Sequence, residues 1–154
     1  FEVKVPERDN KPRWGAFLIR PSEGASMNTG DLHLGIKVQY AVTLYQKPRN
    51  QVKKGGTIDQ LKIGKSEGKV VTIGVLFSSD TQTFLRPHGK IILHNAEGKR
   101  VATKNINEFV VLPDHDRLIN KSFSPLPSGN YQVTAILDYG GEVRIGARRT
   151  FKVS

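Results

Sequence analysis

The sequence predicts an all-β protein. Val, Ile, Thr, Tyr and Phe recur in short runs, and Gly, Pro, Asn and Asp punctuate those runs. The longest run alternates apolar and polar residues with hardly a break. Helix signatures are scarce. At 154 residues the chain is long enough for one sizeable domain or two small ones and can bury a core.

The alternating run "DLHLGIKVQYAVTLYQ" is the strongest of these signals. Leu32, Leu34, Ile36, Val38, Tyr40, Val42 and Leu44 fall on one face, and His33, Lys37, Gln39 and Thr43 on the other. A single strand from Leu32 to Gln46 would span about 50 Å at about 3.3 Å per residue. Ordinary strands are far shorter, so this one must bend or outrun its own sheet. Ahead of it stand "FEVKV" and the apolar run "RWGAFLIRP", closed by Pro21, with turn chemistry in "SEGASMNTGD". Three strands cannot bury their apolar faces alone. Residues 1–46 therefore read as the last strands of an incomplete first β-sandwich domain. The first residue is Phe1 rather than Met, so the expectation is that residues have been removed, either by signal cleavage or by truncation of the sequence.

Residues 47–56 read as a basic linker. Pro48 has no N–H for a ladder, and Gly55–Gly56 permits any backbone turn. From Thr57 to Ser154 about eight short runs follow at regular spacing, the pattern of a β-sandwich. They are "TIDQLKI", "KVVTIGVLF", "GKIILH", "KRVATKNI", "EFVVLP", "RLINKSF", "YQVTAILDY" and "VRIGARRTFKV". "HNAEGKR" is a hairpin turn in which Gly98 is free to take positive φ. In "PLPSGNYQVTA" a Tyr opens a strand just after Pro and Gly. Its hydroxyl can reach back to the preceding corner, as in the tyrosine corner of immunoglobulin-like sandwiches; ordinary core packing accounts for Tyr131 equally well. On either account the predicted fold of residues 57–154 is an immunoglobulin-like β-sandwich.

Composition excludes several function classes. The chain has no cysteine, which removes disulfides, thiolate metal sites and thiol nucleophiles. It has no run of eighteen apolar residues, so no helical membrane span is expected. Its net charge is +10, from 24 Lys and Arg against 14 Asp and Glu. Those charges are scattered, with the densest cluster at Lys47, Arg49, Lys53 and Lys54 in the linker. That distribution is the pattern of a solvated surface and argues against nucleic acid as the partner.

Catalytic motifs fail on inspection. "IGKSEGK" carries Gly64-Lys65-Ser66, the end of a phosphate-binding loop, but Asp59 stands where the loop's first glycine belongs. A strand pattern follows where a helix should. His88 and His94 are about 20 Å apart on one strand, too far to share a metal. His115 in "PDHDR" belongs to a polar turn. No G-x-S-x-G elbow occurs. "NKS" at Asn120 has the form of a glycosylation sequon, a triplet common by chance. The expectation is a non-enzymatic protein with no cofactor and no metal.

The strand and its exit resemble the periplasmic pilus-assembly chaperones. In that family the last strand of the first immunoglobulin-like domain alternates hydrophobic residues. It ends in an aromatic-basic-proline element leading into a second domain. The matching positions here are Leu32, Leu34, Ile36, Val38 and Tyr40 on the strand, with Leu44, Tyr45, Lys47 and Pro48 at the hinge; Lys37 and Val42 of the same strand join the residues expected to bind the partner. The family anchors its client's C-terminal carboxylate with a basic pair. Thr43 stands at the strand-lysine position, and Lys37 is the strand's one lysine. The resemblance implies an exported, periplasmic or cell-surface protein that binds β-rich pilus or surface subunits by strand donation, with self-association by strand exchange as a further outcome. The second reading is a structural or adhesive immunoglobulin-like module of a bacterial cell-surface protein.

Overall fold

The computed structural model describes residue 4 and residues 11–20, 25–29, 32–36, 38–48, 50, 52–65 and 70–154. Every regular element among them is a strand, and every strand pairing is antiparallel. The chain divides into two compact units, Phe1–Pro48 and Arg49–Ser154.

The first unit holds four strands, β1 (Arg13–Ile19), β2 (Ala25–Thr29), β3 (Leu32–Ile36) and β4 (Tyr40–Gln46). β1 pairs with β4 and β2 with β3, a hairpin nested inside a hairpin. Two expectations change here. "SEGASMNTGD" is not only turn: its centre is β2, because a ladder draws on backbone groups that its polar side chains do not remove. The single strand from Leu32 to Gln46 is also two strands, β3 and β4, paired to different neighbours. Five residues (20–24) separate β1 from β2, but only three (37–39) separate β3 from β4. The two limbs cannot stay in one register across that mismatch. "FEVKV" lies outside the described residues, Lys4 aside.

The second unit has seven strands: β5 (Gly56–Lys65), β6 (Val71–Ser79), β7 (His88–Asn95), β8 (Arg100–Ile106), β9 (Asp116–Phe123), β10 (Gly129–Asp138) and β11 (Ile145–Val153). They form a three-stranded sheet, β5-β6-β9, and a four-stranded sheet, β11-β10-β7-β8. Alternation decides which side of each is buried. Val71, Ile73, Val75 and Phe77 of β6 and Tyr131, Val133, Ala135 and Leu137 of β10 meet in one core with Leu61, Ile91, Leu93, Phe123 and Val153. The arrangement is sandwich-like. On one flank Arg149 of β11 donates from Nη1 to the Leu61 carbonyl of β5 at 2.5 Å, tying the two sheets together.

Seven of the eight runs expected in this unit are strands. "EFVVLP" is not: Val111 makes only an isolated bridge to Leu85, with N···O distances of 2.9 and 3.0 Å. Its neighbour runs straight into Pro87, which has no N–H to carry a ladder on. At the β7–β8 turn Gly98 has φ 75° and donates to the Asn95 carbonyl at 3.0 Å, as its sequence context requires. In β5 a register shift between Ile58 and Gln60 leaves Asp59 as the extra residue of a bulge. Its carboxylate accepts from Thr57 Oγ1 at 2.6 Å and from Ser78 Oγ. These bonds, that from Ser78 foremost, hold its pKa below the ordinary value.

Tyr131 does both things its sequence context allows. Its ring is 7% exposed and stacks on Phe151 with centroids 5.7 Å apart. Its hydroxyl donates to the Pro127 carbonyl at 2.9 Å. Replacing Tyr131 with Phe keeps the ring and orphans that carbonyl, so stability should fall by about 1 kcal/mol. Urea unfolding measures this, and an unchanged midpoint would show that water replaces the hydroxyl without loss.

Candidate functional site

The β1–β4 ribbon sets a surface problem that the second unit does not have. Cross-strand register puts Phe17 opposite Val42, Ile19 opposite Tyr40 and Gly15 opposite Leu44 on one side. Trp14 opposite Tyr45 and Leu18 opposite Ala41 occupy the other. Both sides therefore carry large apolar groups. Trp14 is 61% exposed, Tyr40 60%, Leu18 58% and Ile19 48%. Arg20 Nε donates to Gln39 Oε1 at 3.0 Å just beyond the ribbon's end. β4 itself, Tyr40-Ala41-Val42-Thr43-Leu44-Tyr45-Gln46, has no charge, no Pro and no Gly. It thus lacks the charges and the proline that often blunt an edge strand.

The residues expected to bind a partner are distributed as follows. Leu32, Leu34 and Ile36 lie on β3, in register with Thr29, Met27 and Ala25. Lys37 lies outside the described residues. Val38 stands between β3 and β4, 47% exposed. Tyr40 and Val42 belong to β4. Of the hinge residues, Tyr45 is on β4 opposite Trp14, and Lys47 and Pro48 follow directly after it. The break at residues 37–39 means that these side chains do not form one continuous row along one strand. Trp14, Leu18 and Ile19 were legible in sequence only as members of an apolar run. Nothing in an apolar run tells whether another layer covers it.

Beyond the hinge, the Lys53 carbonyl accepts from Thr81 Oγ1 at 2.8 Å, and Thr81 is 4% exposed. That bond fixes the chain ahead of β5. His115 lies in a turn, where Asp114 takes φ 55° and His115 Nδ1 sits 2.7 Å from the Pro113 carbonyl. Among the described residues no three His, Cys, Asp or Glu side chains gather closely enough to hold a metal ion. No helix among them is long and apolar enough to cross a membrane.

Asp138, at the end of β10, accepts from the Gly140 N–H at 2.9 Å and from Arg144 Nε at 3.3 Å. The Gly140 bond first, then Arg144, holds its pKa below the ordinary 3.8. A carboxylate whose pKa is depressed by folding stabilises the fold above its unfolded pKa, and that contribution disappears as pH falls through the folded value. Asp138→Asn should therefore be less stable than the parent at pH 7, and the difference should close in strong acid. Thermal melts across that range test it; a gap that persists at the acid end would place the effect elsewhere than in ionisation.

The chain is thus an all-β protein with a sandwich-like unit and a separate apolar ribbon. No known protein family matches the sequence, and comparison with curated proteins finds no relative.

Proposed function

We propose that this is a non-enzymatic, exported protein of chaperone type, which binds β-rich pilus or surface subunits by strand donation from its first unit. One observation carries the reading. Among the described residues, seven of the ten exposed large apolar side chains (Trp14, Phe17, Leu18, Ile19, Val38, Tyr40 and Val42) belong to that unit. A two-stranded ribbon with such faces is marginal in water by itself. A partner strand laid along β4 would satisfy its outer backbone groups, while alternate side chains enter the partner's groove. The strand-and-hinge resemblance to pilus-assembly chaperones supports the same assignment and the periplasmic or cell-surface location that goes with it.

The second unit is assigned an immunoglobulin-like fold. The strand order β5-β6-β9 against β11-β10-β7-β8 supports it, as does the Tyr131 hydroxyl bond to the corner before β10. A structural or adhesive module of a cell-surface protein is the second reading, favoured by the self-sufficient core of residues 49–154. The test is to mix the full chain with an immunoglobulin-like subunit lacking its last strand and to follow amide exchange at Tyr40–Gln46. Slowed exchange with complex formation supports donation. Unchanged exchange in both partners overturns it and leaves the module reading.

A further inference from the structure

The two outer faces of the sandwich-like unit differ in charge. On the four-stranded face, register aligns Arg100 (β8), His94 (β7), Gln132 (β10) and Thr150 (β11) in one row. Thr103, Ile92, Thr134 and Arg148 make the next, and Asn105, Lys90, Ile136 and Gly146 the one after. Lys152 stands beside Asn130 above them. Lys90, Arg100, Arg148 and Lys152 are all exposed, and among the described residues none of the four is in an ion pair. The carboxylate on this face is Asp138, at the far end and already bonded to Gly140 and Arg144. The three-stranded face carries Asp59, Asp116 and Lys62 instead.

A shallow depression of about 720 Å³ lies over the upper rows, lined by His94, Asn130, Gln132, Arg148, Thr150 and Lys152 among others. Arg148 and Lys152 are four residues apart on β11, so their stems stand about 13 Å from each other, and Lys90 lies two strands, about 10 Å, across the sheet. Cations so spaced do not converge on one small anion. They suit charges repeated along an extended polymer.

We propose that this face binds an acidic, carboxylate-bearing polysaccharide. Arg and Lys would pair with its carboxylates, while the amides of Asn130 and Gln132 and the hydroxyls of Thr134 and Thr150 exchange hydrogen bonds with sugar hydroxyls. The same geometry disfavours two other anionic partners. Single-stranded nucleic acid requires exposed aromatic platforms, and the nearby Tyr131 and Phe151 rings are stacked on each other on the inner side. An anionic membrane calls for apolar groups to insert, and none of the exposed large apolar side chains falls in these rows. The inference concerns a different surface from the ribbon and stands or falls apart from strand donation.

The experiment is binding of the full chain to immobilised polygalacturonate, with uncharged dextran, a DNA duplex and anionic phosphatidylglycerol vesicles run alongside. The double variant Arg148→Gln, Lys152→Gln is compared with Lys53→Gln, Lys62→Gln, which removes the same charge from elsewhere on the unit. The expected result is salt-sensitive binding to polygalacturonate and none to dextran. The first pair should lose about tenfold in affinity and the second less than about twofold. Equal losses in the two pairs would mean diffuse attraction by net charge and overturn the site. Tighter binding to DNA or to vesicles, or no binding to polygalacturonate, would also overturn it.

Discussion

Replacing Tyr40 with Asp should abolish capture of a strand-deficient immunoglobulin-like subunit while leaving the second unit as stable as before. Tyr40 is 60% exposed in the free chain, so a carboxylate there meets water and costs the isolated protein little. In the proposed complex the same side chain would enter the partner's groove. The Asp would have to shed its hydration with no cation to pair it, a loss of about 3 kcal/mol or more, which is over a hundredfold in affinity by the usual conversion. The readout is the dissociation constant together with the protection of Tyr40–Gln46 amides. Thr43→Asp, on the opposite side of β4, separates the possibilities. Loss with Tyr40→Asp alone supports a one-sided groove, and equal loss with both supports capture through the strand edge. Retention of full affinity by Tyr40→Asp would remove β4 from the interaction.

Phe77→Ala should destabilise residues 49–154 by about 3–5 kcal/mol. The Phe77 side chain is fully buried. Its ring meets Phe109 edge-on at 6.2 Å and Tyr139 at 6.1 Å, and it lies so close to Gly56 that a Cβ there would come within 2.5 Å of its Cζ. Three separate segments thus converge on one ring, and no small shift can refill the space it leaves. Against the 5–15 kcal/mol of an ordinary domain, such a loss is a large share. Trp14 is the sole tryptophan and sits in the other unit, so its fluorescence is the wrong probe. Urea unfolding followed by tyrosine circular dichroism or amide exchange reads the correct unit. A drop below about 1 kcal/mol would mean that the ring is not held as described.

Much of the second unit is legible in the sequence. Period-2 alternation in "YQVTAILDY" and "KVVTIGVLF" sorts Tyr131, Val133, Ala135 and Leu137 and then Val71, Ile73, Val75 and Phe77 to one face, and these are the buried residues. Gly98 between Glu97 and Lys99 announced a turn because few other residues accept its φ. The ribbon was half legible. Its apolar residues stood out, but alternation reports only which side chains share a face and is silent on where a strand stops. The interruption at residues 37–39 depends on the unequal lengths of the two limbs, which no window of sequence displays. β2 was missed because its Ser, Asn and Thr side chains carry turn chemistry while its backbone is free to pair.

The basic face shows the same limit from the electrostatic side. Lys90, Arg100, Arg148 and Lys152 are spread over more than sixty positions of sequence, where they read as scattered surface charge. Only the pairing of β8, β7, β10 and β11 brings them to one face, while Asp59 and Asp116 belong to the separately paired β5-β6-β9 sheet. By itself the sequence determined the strand class, the alternating faces of β6 and β10 and the tight turns, because those follow from side-chain period and local backbone preference. Strand neighbours, the exposure of the ribbon and the gathering of charge were decided by tertiary structure alone, because each is set by contacts between residues distant in the chain.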